Sequence, residues 1–204
     1  MNCGHDSNIE RELVIETSKQ YKNVFFNTSI PNLDFPGPMV LTANPKEEND
    51  YYGPDKFIGQ TNKLMFVRLR VSPTNLALVS EAVSRWASCG IAVVLTFMAY
   101  YDEAPPGTVE TPEMKDWDQK TRILEDRSEF GRRAYSWKKR ILNSYYCATE
   151  AYMQYVTKML KGQTGRLVTR CGTVNSGYCK DCRNCETYYW QTVKHLREKG
   201  DETC

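Results

Sequence analysis

The sequence predicts an α/β fold: a partial parallel β/α barrel-like sheet with βαβ units, completed by a C-terminal Cys-rich metal-binding segment. Three observations carry that expectation. Leu64-Met-Phe-Val-Arg-Leu-Arg-Val71 alternates and is rich in β-formers, a helical pattern of about fifteen residues follows it, and Ile91 to Phe97 is a second apolar run. Met39-Val-Leu-Thr-Ala43 is a shorter apolar run that ends at Asn44-Pro45, as a buried strand ends at a polar loop. Finally, Cys171, Cys179, Cys182 and Cys185 fall within fifteen residues. The division expected is an α/β partial-barrel domain over 1–165, then a cysteine-rich cluster-binding segment and terminal helix over 166–204.

Taken in order, residues 8 to 21 read as an amphipathic helix with acidic residues in its first turns. Turn-rich Pro31 to Pro38 delivers the chain into the Met39 run, and Asn49 to Asp55 is a second turn cluster. After the Leu64–Val71 strand, Ser72-Pro73-Thr74 supplies helix-start chemistry, because Ser or Thr caps and Pro is tolerated in a first turn. Leu76, Val79, Ala82, Val83 and Trp86 then fall on one helical face, and Gly90 stops the helix. Strand, helix and strand in this order make a βαβ unit with parallel strands and a right-handed crossover. Asp102 to Pro112 reads as a long loop, of the kind that serves as a lid. Residues 128 to 160 read as two helical pieces, the first carried by Tyr135, Trp137, Ile141 and Leu142, the second by Ala151, Tyr152, Tyr155, Val156 and Leu160. Gly165 to Arg170 is one more short strand running into Cys171, and Glu186 to Lys199 is a closing helix.

Composition narrows the function. The chain has 204 residues, a formal net charge of +2 and 41% hydrophobic residues, the balance of an ordinary globular protein. A charge so near zero argues against nucleic acid as partner, and a binder using Lys138-Lys-Arg140 and the basic residues around the cysteines fits poorly with it. No run approaches the roughly 18 apolar residues that span a bilayer. The N-terminus lacks the basic and apolar segments of a signal peptide, so the expectation is a soluble, cytoplasmic protein whose thiols serve metals or catalysis.

Cys179-x2-Cys182-x2-Cys185 does not fit a disulfide framework, since neighbours so close pair only through strained loops. The same thiols can converge on one inorganic centre, with Cys171 as fourth ligand. Structural zinc usually takes its ligands as two separated pairs. A compact Cys-x2-Cys-x2-Cys run with a fourth thiol from elsewhere is the way ferredoxin-type proteins hold a [4Fe-4S] cluster. The expected metal ligands are therefore Cys171, Cys179, Cys182 and Cys185, the cofactor a [4Fe-4S] cluster, and zinc the alternative. Arg166, Arg170, Lys180 and Arg183 surround the motif and suit the charge of about −2 that either centre carries. Tyr178, Tyr188, Tyr189 and Trp190 would either shield the centre or simply pack the terminal helix on the sheet.

Of the other cysteines, Cys89 and Cys147 sit in helical patterns and read as small core residues, Cys204 as solvated, and Cys3 as part of a frayed terminus. Ligands of parallel sheets collect at the carboxyl ends of the strands. The centre is expected there, beside Asn44, Ser72 and Tyr100. Arg68 and Arg70 share one side of a buried strand and need partners, either a structural carboxylate or an anionic ligand. With Asn44 and Tyr100 they make a speculative pocket, and Thr96 and Tyr101 can line it too. His5 and His195 are the two histidines, and His195 reads as a solvated surface residue. Glu47-Glu48 and Asp102-Glu103 read as solvated charge, and no Ser-His-Asp or Cys-His constellation and no phosphate-binding Gly-rich loop is apparent.

The strands Met39 to Asn44, Phe66 to Ser72 and Val93 to Tyr100, followed by Cys171-Gly and Cys179-Lys-Asp-Cys-Arg-Asn-Cys185, resemble radical-SAM-like proteins of the type found in bacteriophage genomes and gut bacteria. The resemblance covers most of residues 24 to 190. It implies an iron–sulfur protein engaged in redox or radical chemistry on a small-molecule or protein substrate. The Cys-x3-Cys-x2-Cys motif that holds the catalytic cluster after the first barrel strand is missing, and no cysteine follows Ala43 until Cys89. The four C-terminal cysteines match instead the position of an auxiliary cluster. S-adenosylmethionine is thus an unsupported cofactor, no SAM-cleaving residue transfers, and the alternative is a zinc-stapled, non-catalytic interaction module.

Overall fold

In the computed structural model of this chain the residues described are 6–43, 53–57, 59–71, 75–99, 123–124, 135–138, 145–171 and 182–200. They form helices α1 (Arg11–Ser18), α2 (Leu76–Ser88), α3 (Glu150–Thr164) and α4 (Asn184–Glu198). The strands are β1 (Phe26–Thr28), β2 (Met39–Ala43), β3 (Leu64–Val71), β4 (Val93–Ala99), β5 (Ile123–Leu124), β6 (Tyr135–Lys138), β7 (Tyr145–Ala148) and β8 (Val168–Arg170). Short 3₁₀ turns cover Pro54–Phe57 and Gly165–Leu167.

Five strands make an all-parallel sheet in the order β1-β2-β3-β4-β8. The βαβ unit read from the sequence is there: β3 and β4 run parallel with α2 between them in the chain. All residues of β3 but Arg68 are buried, as expected of a parallel strand covered on both faces. On one face Leu41, Val67, Leu69, Val93 and Leu95 pack with Val79, Val83 and Trp86 of α2 and Val156 and Leu160 of α3. On the other, Val40, Phe66 and Val94 meet Tyr188 and Tyr189 of α4. The register shifts between Met39 and Val40, whose partners are Leu64 and Phe66. The irregularity leaves Leu64 with the main core while Met65 and Phe66 both join the α4 face.

Pairing along β4 changes partway. Val93 to Leu95 pair with parallel β8, whereas Met98 and Ala99 pair with antiparallel β7. Beyond β7 follow β6 and β5, both antiparallel. This small antiparallel set corrects the helical reading of the segment around Tyr135. Tyr135-Ser-Trp-Lys138 and Tyr145-Tyr-Cys-Ala148 are strands, and Cys147 lies in β7 opposite Met98. Tyr-Ser-Trp-Lys alternates aromatic and polar at period two, and β-formers in that pattern suit a sheet better than a helix. The second helical piece stands as α3. Thr149 caps it by accepting from the Tyr152 N–H, and its buried face includes Met153 beside Tyr152, Val156 and Leu160.

Cys89 needs a correction too. It is exposed, not a core residue, because it lies one position past the end of α2, where the chain turns away through Gly90 at φ +74°. Asn75, in place of the expected Ser or Thr, occupies the position before α2. Its amide donates to the Arg70 carbonyl and ties the helix start to the end of β3. Ser72, Pro73, Thr74 and the expected loop at 102–112 lie outside the described residues.

Candidate metal centre

β8 is three residues long, and its alternation decides what faces the site. Val168 joins the main core, while Thr169 turns to the opposite face, where its hydroxyl lies 3.5 Å from that of Tyr188. Arg170 returns to the α3 side, forming a two-pronged ion pair with Glu150. Its charge is committed there, so it does not flank the cysteines as the sequence led us to expect. Cys171 continues the parallel ladder, its N–H donating to the Leu95 carbonyl at 2.8 Å, and comes out on the α4 side.

The start of α4 brings the other thiols. Arg183, in the left-handed conformation at φ 53°, makes the turn between Cys182 and the helix that begins at Asn184. The Asn184 amide donates to the Arg170 carbonyl at 2.7 Å, fastening the first turn of α4 to the end of β8. Cys185 sits in that turn and packs with Cys171 in the cluster around Phe66 and Val94. Cys171, Cys182 and Cys185 are thus brought near one another at the carboxyl edge of the sheet. Burial pushes the Cys171 thiol up to about 12, the neighbouring Cys182 and Cys185 add to the rise, and the Arg68 guanidinium opposes it.

Soft, partly buried sulfur donors of this kind suit zinc or an iron–sulfur cluster. Cys179, the fourth expected ligand, lies outside the described residues. Among the described residues, no group of three or more His, Cys, Asp or Glu side chains is set to hold a metal ion. The three thiols are neighbours, then, without forming a closed ligand shell.

Arg68 and Arg70 differ more than their shared side of β3 implies. Arg70 is 3% exposed and lies opposite Thr96 of β4. Arg68 is half-buried, its guanidinium 5.9 Å from the centroid of the Phe66 ring. Its Nη1 donates over a long 3.4 Å to the Asn27 side-chain oxygen, which also accepts from the Thr42 hydroxyl. Asn44, Ser72, Tyr100 and Tyr101, expected beside them, lie outside the described residues. Asn27, Thr42 and Asn184 are the polar residues that sequence reasoning missed. The first belongs to a three-residue strand too short to show any periodicity. Of the flanking aromatics, Tyr188 packs its ring on Phe66 at 5.3 Å, while Trp190 is 48% exposed. His195 is exposed, as expected, and His5 lies outside the described residues.

Two further features lie apart from the cysteines. A cavity of about 500 Å³ is lined by Asn32, Asp34, Phe35, Gln60 and Lys63, on the segments leading into β2 and β3. Asp6 holds the entering chain to the end of β1, accepting from the Ser29 N–H and hydroxyl and from the Asn8 N–H. Burial alone would raise the Asp6 carboxyl, but the hydrogen bonds from Ser29 and Asn8 outweigh it and hold the group below the usual carboxylate range. Among the described residues no helix is long and apolar enough to cross a membrane. No protein-family profile matches the chain, and neither a curated protein nor a solved structure is similar enough to count as a match.

Proposed function

We propose that Cys171, Cys179, Cys182 and Cys185 hold a [4Fe-4S] cluster at the carboxyl edge of the parallel sheet. The chain on this reading is an iron–sulfur protein related to radical-SAM enzymes, serving redox or radical chemistry on a small-molecule or protein substrate. The single observation that carries it is the meeting of Cys171 with Cys182 and Cys185. These thiols lie on different elements, and the Asn184 bond to the Arg170 carbonyl holds those elements in place. The cluster would supply one-electron transfer when bound. The chain's own part is to exclude water with Phe66, Val94, Tyr188 and Tyr189 and to present cationic Arg68 over Phe66, the ring that packs with Cys171 and Cys185. Arg68 and Arg70, with Asn44 and Tyr100, are the residues proposed to line a substrate pocket there. The partial-barrel relation draws support from β1 to β4, which neighbour one another in chain order, all parallel.

A zinc-stapled interaction module is the second reading. What favours it is the role of the same segment in seating α4, since Cys171, Cys185, Tyr188 and Phe66 form one small apolar cluster. Iron, acid-labile sulfide and zinc measured per chain on protein purified without oxygen separate the two. Iron and sulfide of about four each, lost in Cys182→Ala and kept in Cys89→Ala, are expected for the cluster. One zinc without sulfide would replace that reading with the staple.

A further inference from the structure

Three arginines of the described region carry their charge to a carboxylate: Arg11 to Asp34, Arg85 to Asp55 and Glu81, and Arg170 to Glu150. Arg68 is different. Among the described residues its hydrogen-bond acceptor is a neutral amide oxygen, shared with Thr42 at 3.4 Å from each donor, and its Nε is buried with no acceptor. A half-buried cation needs compensating negative charge nearby. The guanidinium lies over the Phe66 ring, on the face of β3 where Phe66 packs with Cys171, Cys185 and Tyr188.

We infer that Arg68 is the counter-charge of the cysteine centre, offsetting the net negative charge its thiolates bring and so setting how tightly a metal is held. The inference rests on the reading of Cys171, Cys182 and Cys185 as ligands, and it holds for zinc and for an iron–sulfur cluster alike. Both carry a charge of about −2 with four thiolates. Arg68 acts through the ligands and is a positioning residue. Asn27 is its steering partner: by accepting weakly from Nη1 it orients the guanidinium without neutralising it.

Cobalt(II) is the probe, because its thiolate charge-transfer absorption reports the ligand set directly. Anaerobic titration of the full chain against a competing chelator gives the affinity of wild type, Arg68→Met, Arg68→Lys, Asn27→Asp and Cys182→Ala. Arg68→Met is expected to bind about 10- to 100-fold more weakly, the usual effect of losing a partner just outside the ligands. Arg68→Lys is expected to keep most of the affinity, since the charge stays. Asn27→Asp hands the guanidinium a carboxylate and is expected to weaken binding in the same direction, which keeps the test decisive should Arg68→Met fail to fold. Wild-type affinity in both Arg68→Met and Asn27→Asp overturns the inference, as does a loss in Arg68→Lys equal to that in Arg68→Met. A wild-type chain without the thiolate band, or a band unchanged in Cys182→Ala, instead removes the ligand assignment, and the counter-charge role falls with it.

Discussion

Cys171 is held as a thiol well above the range where cysteines ordinarily ionise, and that has a consequence for the metal-free chain. Below about pH 9 the group is protonated folded and unfolded, and it contributes nothing to pH dependence. Between 9 and about 12 the unfolded chain ionises while the folded one resists, so stability falls as pH rises through that window. Denaturation midpoints of the metal-free protein at pH 8 and pH 10.5 should therefore differ, and the difference should shrink in Cys171→Ser. Asp6 behaves in the opposite sense. Its carboxyl is lowered, so its contribution is present above about pH 4 and lost as pH falls below. Asp6→Asn should destabilise the N-terminal segment at pH 7 and not at pH 2, read by amide hydrogen exchange at Ser29 and Asn8. At this scale the sequence was legible for where Cys171 and Cys185 stand, at the end of the last strand and the start of the closing helix. It was illegible for Cys89, which continues the pattern of Trp86 and Ala87 in sequence, whereas the helix ends one residue earlier at Ser88.

Elements were read best where burial imposes a period. In α2, Val79, Ala82, Val83 and Trp86 are all fully buried, so the helical spacing and the packing coincide. Among the described residues Trp86 is the largest fully buried side chain, and it stacks on Phe57 at 6.0 Å. Trp86→Ala should cost about 3–5 kcal/mol by leaving a cavity. Trp86→Phe should cost clearly less, because the indole N–H is buried with no acceptor among the described residues. Urea denaturation of the two variants checks the ordering. β6 and β7 were misread for a physical reason: four-residue strands offer two residues per face, and apolar residues nearby at i, i+3 and i+4 imitate a helix. What puts them in the sheet is the pairing of β7 with β4, to which β6 adds through β7, and that is not a local property of the sequence.

For the whole molecule, the parallel sheet was legible in its central strands and less so at its edge. The βαβ unit, β2 and the approach of β8 to Cys171 follow from local patterns. The joining of β8 to β4 depends on contacts across some 75 residues, from Leu95 to Arg170. Because Cys171, Cys182 and Cys185 meet only when both β8 and α4 are seated, ligand binding should stabilise the C-terminal part selectively. A chelator added to loaded protein should raise hydrogen exchange in α4 and β8 first and leave α2 and β3 protected.

The split partnership of β4 also bears on how the chain is made. Val93 to Leu95 leave the ribosome early, but the strand that covers them follows about 75 residues later, a wait of roughly 4–15 s at 5–20 residues per second. During that wait the nascent chain carries an open apolar strand edge, the kind that recruits other chains. A translation product arrested near Thr164 would keep that edge for good, so it should aggregate. Cys171, Cys182 and Cys185 emerge only afterwards. Under the proposed reading, metal uptake can come only after α4 is made, because Cys182 and Cys185 are the last of the four proposed ligands to emerge.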